Sequence, residues 1–130
     1  MSNALESAGF TAPLLEDIRS EIWRSEIWRS EIWLKLWGNL CFNPISALTR
    51  ARLDVVACEP ALHRLSIRMM TEVEGIARRF GVTFRISIVR RVNGAARVGA
   101  HRTSMLPDLE ACRPLEIDAL LASLQELGRL

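Results

Sequence analysis

The chain has 130 residues, of which 49% are hydrophobic and 25% are charged, and its formal net charge is +2. This length and apolar fraction suffice for one domain with a buried core. The near balance of charge argues against a nucleic-acid-binding protein, and no apolar run reaches the roughly 20 residues that span a bilayer. Three cysteines without CxxC spacing, and no secretory signal, indicate a cytoplasmic protein with reduced thiols and no metal site.

Apolar periodicity predicts an all-α helical bundle. Helices are expected over about 13–43, 59–80, 86–98 and 104–111, and from Pro114 to the end of the chain. Residues 50–58 are interpreted as a connection. Residues 83–89 alternate like a strand, but no second strand is available to pair with them, so we predict a short loop and then the helix that starts at about residue 86. Pro44 is predicted to kink or break the first helix because proline has no backbone N–H.

The first helix contains an unusual repeat, because Arg-Ser-Glu-Ile-Trp occurs three times in succession over residues 19–33. Each copy turns the pattern by about 140° around a helix, so the three tryptophans cannot all face one core. We interpret two of the copies as an insertion that makes this helix unusually long and leaves isoleucine and tryptophan exposed. The repeat therefore predicts a homo-oligomer, and a helical self-association module without catalysis is one possible function.

A polar stripe follows the repeat. Lys35, Asn39 and Asn43 are spaced four residues apart and so lie along one slowly turning line on a helix. Lys35 is the only lysine in the chain, beside sixteen arginines. A binding stripe and an exposed lysine next to two capping asparagines are both consistent with this spacing. Similarly, Ser104 and Asp108 on their own could cap a short helix.

Together these segments resemble the C-terminal domain of ketopantoate reductase (2-dehydropantoate 2-reductase) over most of residues 10–130. The motifs that carry the resemblance are Trp33-x-Lys35-x3-Asn39-x3-Asn43-Pro44, then Glu72, Ala77 and Gly81, then His101-Arg102-x-Ser104-Met105-x-x-Asp108, and finally Arg113-Pro114-Leu115-Glu116-Ile117-Asp118. The first and the last two motifs, in that order, are the most specific. The resemblance favours the functional interpretation of Lys35.

The resemblance implies a reductase that transfers hydride from NADPH to a small 2-keto acid, ketopantoate, in pantothenate biosynthesis. Lys35 and Glu116 match the family's catalytic residues. The family's lysine donates a hydrogen bond, and formally a proton, to the substrate carbonyl oxygen, and its glutamate is a polar partner of the substrate and the lysine. Four further positions match substrate-binding residues, namely Asn39, Asn43, Ser104 and Asp108.

The chain departs from the family in its organisation. No glycine-rich phosphate-binding loop is present, so the Rossmann domain that binds NADPH is expected to be missing. We interpret residues 1–12 as a tag or a remnant of that domain, and residues 13–130 as a truncated substrate-binding domain. No cofactor should bind to this chain alone, which is expected to be inactive. Cys112 occupies a position where the family commonly has glycine.

Overall fold

The structure is a computed structural model that describes residues 26–130. The elements, in chain order, are α1 (Glu26–Thr49), α2 (Leu53–Cys58), α3 (Pro60–Arg79), α4 (Ile88–Val98), α5 (Met105–Glu110), a π-helical turn (Asp118–Ala122) and α6 (Ser123–Arg129). No strand occurs within this range. The all-α prediction is therefore confirmed.

Helix α1 lies at the centre of the domain and contacts α2, α3, α5 and the π-helical turn. Its apolar face supplies much of the core, with Trp37, Cys41 and Phe42 almost fully buried. The Trp37 ring packs against Phe84 with 4.2 Å between the ring centroids. Its indole N–H donates to the carbonyl of Met70 on α3 over 2.8 Å. A buried indole needs such an acceptor, and this bond fixes the rotation of α1 relative to α3.

The predicted break at Pro44 is wrong, because α1 continues through this proline to Thr49. Proline lacks the N–H donor and its ring crowds the preceding turn, but these effects do not end the helix here. The chain reverses instead at Arg50, which has a positive φ of 55°. The fully buried Ser46 donates its hydroxyl to the carbonyl of Ala51 and so fastens the turn to α1.

Helix α3 begins and ends as the sequence predicts. The Glu59 carboxylate accepts a hydrogen bond from the backbone N–H of Leu62 over 2.8 Å, and Pro60 occupies the first turn. At the other end Gly81 has a φ of +72°, and the N–H of Val82 reaches back to the carbonyl of Ala77. This pairing is the glycine-terminated helix end in which residues after the helix satisfy its last carbonyls.

The segment interpreted as a connection contains a helix, α2. Its six residues bury Leu53, Val56 and Ala57 and pack mainly against α4. One and a half turns show too little periodicity to be recognised from sequence. Helix α4 starts at Ile88, where the Ser87 side chain caps the N–H of Arg90, close to the predicted start.

The last helical segment begins later than predicted. Residues 113–116 are irregular, and helical structure starts at residue 117. Residues 19–25 of the repeat lie outside the described residues, and the rest of the repeat, residues 26–33, forms the beginning of α1. Of the described part, Trp33 is half-buried against the core and Ile32 is exposed. The long tryptophan-rich helix and the self-association it was expected to drive therefore stay predictions.

Candidate active site

A cleft of about 450 Å³ opens beside α1, and residues from four parts of the chain line it. Helix α1 contributes Lys35, Gly38, Asn39, Phe42 and Asn43; α2 contributes Leu53; α4 contributes Arg91; and the segment before α5 contributes His101, Thr103 and Ser104. The backbone N–H of Leu53 donates to the carbonyl of His101 over 2.8 Å, which ties the start of α2 to that last segment.

The polar stripe predicted on α1 faces this cleft. Lys35, Asn39 and Asn43 all line it, with exposure decreasing from one end to the other. Lys35 is exposed, Asn39 is half-buried, and only 5% of Asn43 is accessible. The stripe therefore runs from the mouth of the cleft to its interior, as expected for three residues four apart on one helix.

The sequence allows Ser104 to cap α5, but its side chain makes no capping hydrogen bond there. Its hydroxyl instead accepts a hydrogen bond from the side-chain amide of Asn43 over 3.3 Å. Two residues separated by 61 positions thus meet in the cleft. Capping is therefore the wrong interpretation of Ser104, and the buried Asn43 amide obtains the partner that its burial requires.

Two of the predicted site residues do not line this cleft. Asp108 is half-buried in α5 and forms an ion pair with Arg113, with 2.6 Å between a carboxylate oxygen and Nη2. Glu116 is exposed in the irregular segment before the π-helical turn. The cleft therefore gathers four of the six predicted residues, and the roles of Asp108 and Glu116 stay predictions.

Sequence analysis did not identify Arg91, which reaches from α4 across to α1. Its guanidinium carbon lies 5.7 Å from the centroid of the Phe42 ring, within cation–π distance. A Cβ atom built on Gly38 would overlap Nη2 of Arg91 and would lie 3.2 Å from its guanidinium carbon. Gly38 therefore leaves the space that the guanidinium occupies. A glycine inside a helical pattern is a known sign of such close approach and was the available signal.

Burial dominates the electrostatics around Arg91. It lowers the pKa of the guanidinium, while the nearby Cys41 acts in the opposite direction. Burial also raises the pKa of the Cys41 thiol from 9.0 to about 12, an effect that the positive charge of Arg91 partly offsets. Cys41 is therefore a neutral thiol near pH 7, whereas arginine keeps its charge.

The described residues offer no alternative centre for metal chemistry. No group of three histidine, cysteine, aspartate or glutamate side chains in this part of the chain is placed to hold a metal ion. Within the same residues, no helix combines the length and apolar character needed to cross a membrane.

Comparison with known proteins connects this cleft to a family. The family model described as "Ketopantoate reductase PanE/ApbA C terminal" matches residues 27–130. The chain belongs to this family. The resemblance seen in the sequence motifs is therefore confirmed, and the matched range includes every residue of the cleft.

Curated relatives carry the name 2-dehydropantoate 2-reductase. The protein from Mesorhizobium japonicum is 48% identical over the whole chain, which covers 37% of that protein. The protein from Pyrobaculum aerophilum is 30% identical over 98% of the chain and 43% of its own length. A crystal structure from Ralstonia solanacearum MolK2 that bears the family name ketopantoate reductase matches with a TM-score of 0.70 and 39% identity. It covers 76% of this chain and 30% of the solved one. The chain thus spans less than half the length of these relatives.

Proposed function

We propose that this chain is the substrate-binding part of a 2-dehydropantoate 2-reductase-type oxidoreductase, which reduces a small 2-keto acid to the 2-hydroxy acid. The observation that carries the proposal is the convergence of Lys35, Asn39, Asn43 and Ser104 on one cleft in a chain of this family. A cleft of about 450 Å³ is in the usual size range for a small-molecule site.

Lys35 is proposed to act on the ketone oxygen. During reduction this oxygen gains negative charge as the carbonyl becomes an alkoxide. A lysine ammonium that donates a hydrogen bond to it stabilises the charged transition state more than the neutral ketone, and it can then supply the proton of the product hydroxyl. Lys35 lies at the mouth of the cleft, so its ammonium can reach a substrate bound deeper among the asparagines.

The amides of Asn39 and Asn43 and the hydroxyl of Ser104 are proposed to orient the substrate. Asn39 and Asn43 each offer an amide donor and a carbonyl acceptor, which suit the hydroxyl and carbonyl groups of a hydroxylated keto acid. The hydrogen bond between Asn43 and Ser104 fixes both side chains before substrate binds. Such preorganisation reduces the entropy lost on binding.

Glu116 and Asp108 are proposed to act in the assembled enzyme. Glu116 matches the family's catalytic glutamate, and in this chain it lies in an exposed irregular segment where it is free to face a second domain. Asp108 holds Arg113 near the beginning of the same segment, so its contribution would be to position that segment.

The reductant is proposed to be NADPH, bound by a domain outside this chain. The cleft contains neither a glycine-rich loop nor a strand-to-helix turn of the kind that holds a dinucleotide phosphate. The described residues therefore do not fit the cofactor, and we derive no step through it. We expect the 130-residue chain alone to show no NADPH-dependent turnover.

The test joins this chain to the part of a relative that the chain does not cover. The chain would be joined to the N-terminal portion of the Mesorhizobium japonicum protein, and NADPH oxidation would be followed with 2-dehydropantoate. We expect turnover by the joined protein, a loss of at least about 100-fold in kcat for Lys35→Ala, as for removal of a catalytic hydrogen-bond donor, and no turnover by the chain alone. A folded joined protein that leaves 2-dehydropantoate unreduced would refute the proposed substrate.

A further inference from the structure

Arg91 is a half-buried cation that has no carboxylate partner within residues 30–130. The ion pairs within residues 30–130 use Arg52, Arg78, Arg102 and Arg113, and none involves Arg91. Its Nε–H is buried and donates to no acceptor in the same part of the chain. Burying the Nε–H without an acceptor costs free energy, and so does the partial desolvation of the charge, unless an anion or another acceptor compensates them. The most direct explanation is a partner that comes from outside the chain.

The cleft supplies the space and the charge for such a partner. None of its ten lining residues is acidic, and two of them, Lys35 and Arg91, are cations. They come from different helices, α1 and α4. Thr103 also lines the cleft. Its hydroxyl is buried and, like the Nε–H of Arg91, makes no hydrogen bond within residues 30–130. The site therefore attracts an anion and holds unused polar groups.

We propose that Arg91 binds the carboxylate of the substrate and makes this site selective for 2-keto acids over neutral ketones. The inference rests on the proposed function and extends it. A 2-keto acid presents two adjacent groups, a ketone and a carboxylate. With Lys35 on the ketone oxygen, the planar fork of Arg91 is matched to the carboxylate, which it can hold with two parallel hydrogen bonds. Ser104 would add a third polar contact from the other wall.

Gly38 and Phe42 act as the support for this guanidinium. Phe42 lies beneath the cation. Because Gly38 has no side chain, Nη2 of Arg91 can occupy the space that a methyl group there would fill. Gly38→Ala therefore keeps the charge of Arg91 but displaces its fork. Because alanine favours a helix over glycine, this change should leave α1 intact. Gly38→Ala thus tests the position of the guanidinium, whereas Arg91→Gln tests the presence of its charge.

The experiment measures binding to the 130-residue chain by isothermal titration calorimetry. The probes are 2-dehydropantoate, its neutral carboxamide, and a carboxylate of the same size without the ketone. Arg91→Gln is compared with Arg90→Gln, which removes an equal charge from an exposed neighbour on α4. Lys35→Ala and Gly38→Ala complete the set. Circular dichroism spectra and thermal midpoints verify that each variant is folded.

We expect Arg91→Gln to weaken binding of 2-dehydropantoate by about 10- to 100-fold, the usual range for a charged hydrogen-bonding group. Binding of the carboxamide should change less than about threefold, and Arg90→Gln should leave both affinities near those of the wild type. Gly38→Ala should weaken the acid selectively, as Arg91→Gln does. Lys35→Ala should weaken every ligand that has the ketone.

The contradicting results are distinct. If Arg91→Gln keeps the preference for the acid over the carboxamide, the role of Arg91 is refuted while the proposed function stands. The wild type could instead bind the ketone-free carboxylate as tightly as 2-dehydropantoate, with only Arg91→Gln weakening the binding of either ligand. That result refutes the keto-acid function, while the carboxylate site stands. Failure of the folded wild type to bind any carboxylate at millimolar concentration overturns both.

Discussion

Replacing Cys41 should change how stability depends on pH. The thiol is fully buried in α1, and burial raises its pKa from 9.0 to about 12. The folded protein therefore keeps this proton where the unfolded chain releases it. The stability that results is fully present below about pH 9 and is lost as the pH rises toward 12. Since one proton is worth at most ~1.4 kcal/mol per pH unit, Cys41 should lower the free energy of unfolding by about 1 kcal/mol between pH 9 and pH 10.

The assay is urea denaturation of the wild type and of Cys41→Ala at a series of pH values from neutral to pH 10. The variant is less stable at neutral pH because it loses buried contacts, and the gap to the wild type should narrow by about 1 kcal/mol over the last pH unit. Cys58→Ala, which removes an exposed thiol, should keep the wild-type slope. A constant gap between the wild type and Cys41→Ala up to pH 10 would show that Cys41 is not protected by burial.

Three other predictions concern single residues. Cys112→Gly should raise the free energy of unfolding by about 0.5–1 kcal/mol in urea denaturation, because Cys112 has a positive φ of 51° that glycine adopts without strain; an unchanged or lower stability would contradict this explanation. Asn43→Ala should lower it by about 1–3 kcal/mol, since the buried amide loses its contacts and the Ser104 hydroxyl its donor, and an effect below about 0.5 kcal/mol would show that the pair is not formed. Glu59→Gln should make stability less sensitive to acid. Hydrogen bonds from the backbone N–H of Leu62, and to a smaller extent from that of Ala61, lower the pKa of the Glu59 carboxyl, so its stabilisation is present above pH 4.5 and is lost as the pH falls. Identical acid denaturation midpoints for the variant and the wild type would argue against that cap.

The parts of the fold that could be predicted are those with long patterns and explicit end signals. Helix α3 has twenty residues, a proline in its first turn and a glycine beyond its end, and its limits were predicted nearly as observed. Helix α2 has six residues and was missed, because its identity depends on the burial of Leu53 and Val56 against α4 rather than on any periodicity. At Pro44 the sequence signal was misleading, because the packing of α1 on both sides of this residue outweighs the lost hydrogen bond and the crowding by the proline ring.

The candidate site also has residues that the sequence predicts and residues that only the tertiary fold reveals. The α1 stripe was predicted because residues four apart share a helix face whatever surrounds them. The contact of Ser104 with Asn43 required the tertiary fold, although the motif resemblance selected both residues. Arg91 could not be distinguished from the other fifteen arginines in the sequence. Its importance depends on the approach of its guanidinium to Gly38, a contact between residues far apart in the chain.

The most direct test of the central claim is to locate where the substrate binds. Amide chemical shifts of the ¹⁵N-labelled chain would be recorded during titration with 2-dehydropantoate. The largest changes should occur at Gly38, Asn39, Asn43 and Ser104, which line the cleft. They should be absent from Leu121 and Leu124, which line the apolar groove between α3 and the C-terminal helices. Saturable changes at that groove with none in the cleft would contradict the proposal that the cleft beside α1 is the substrate site.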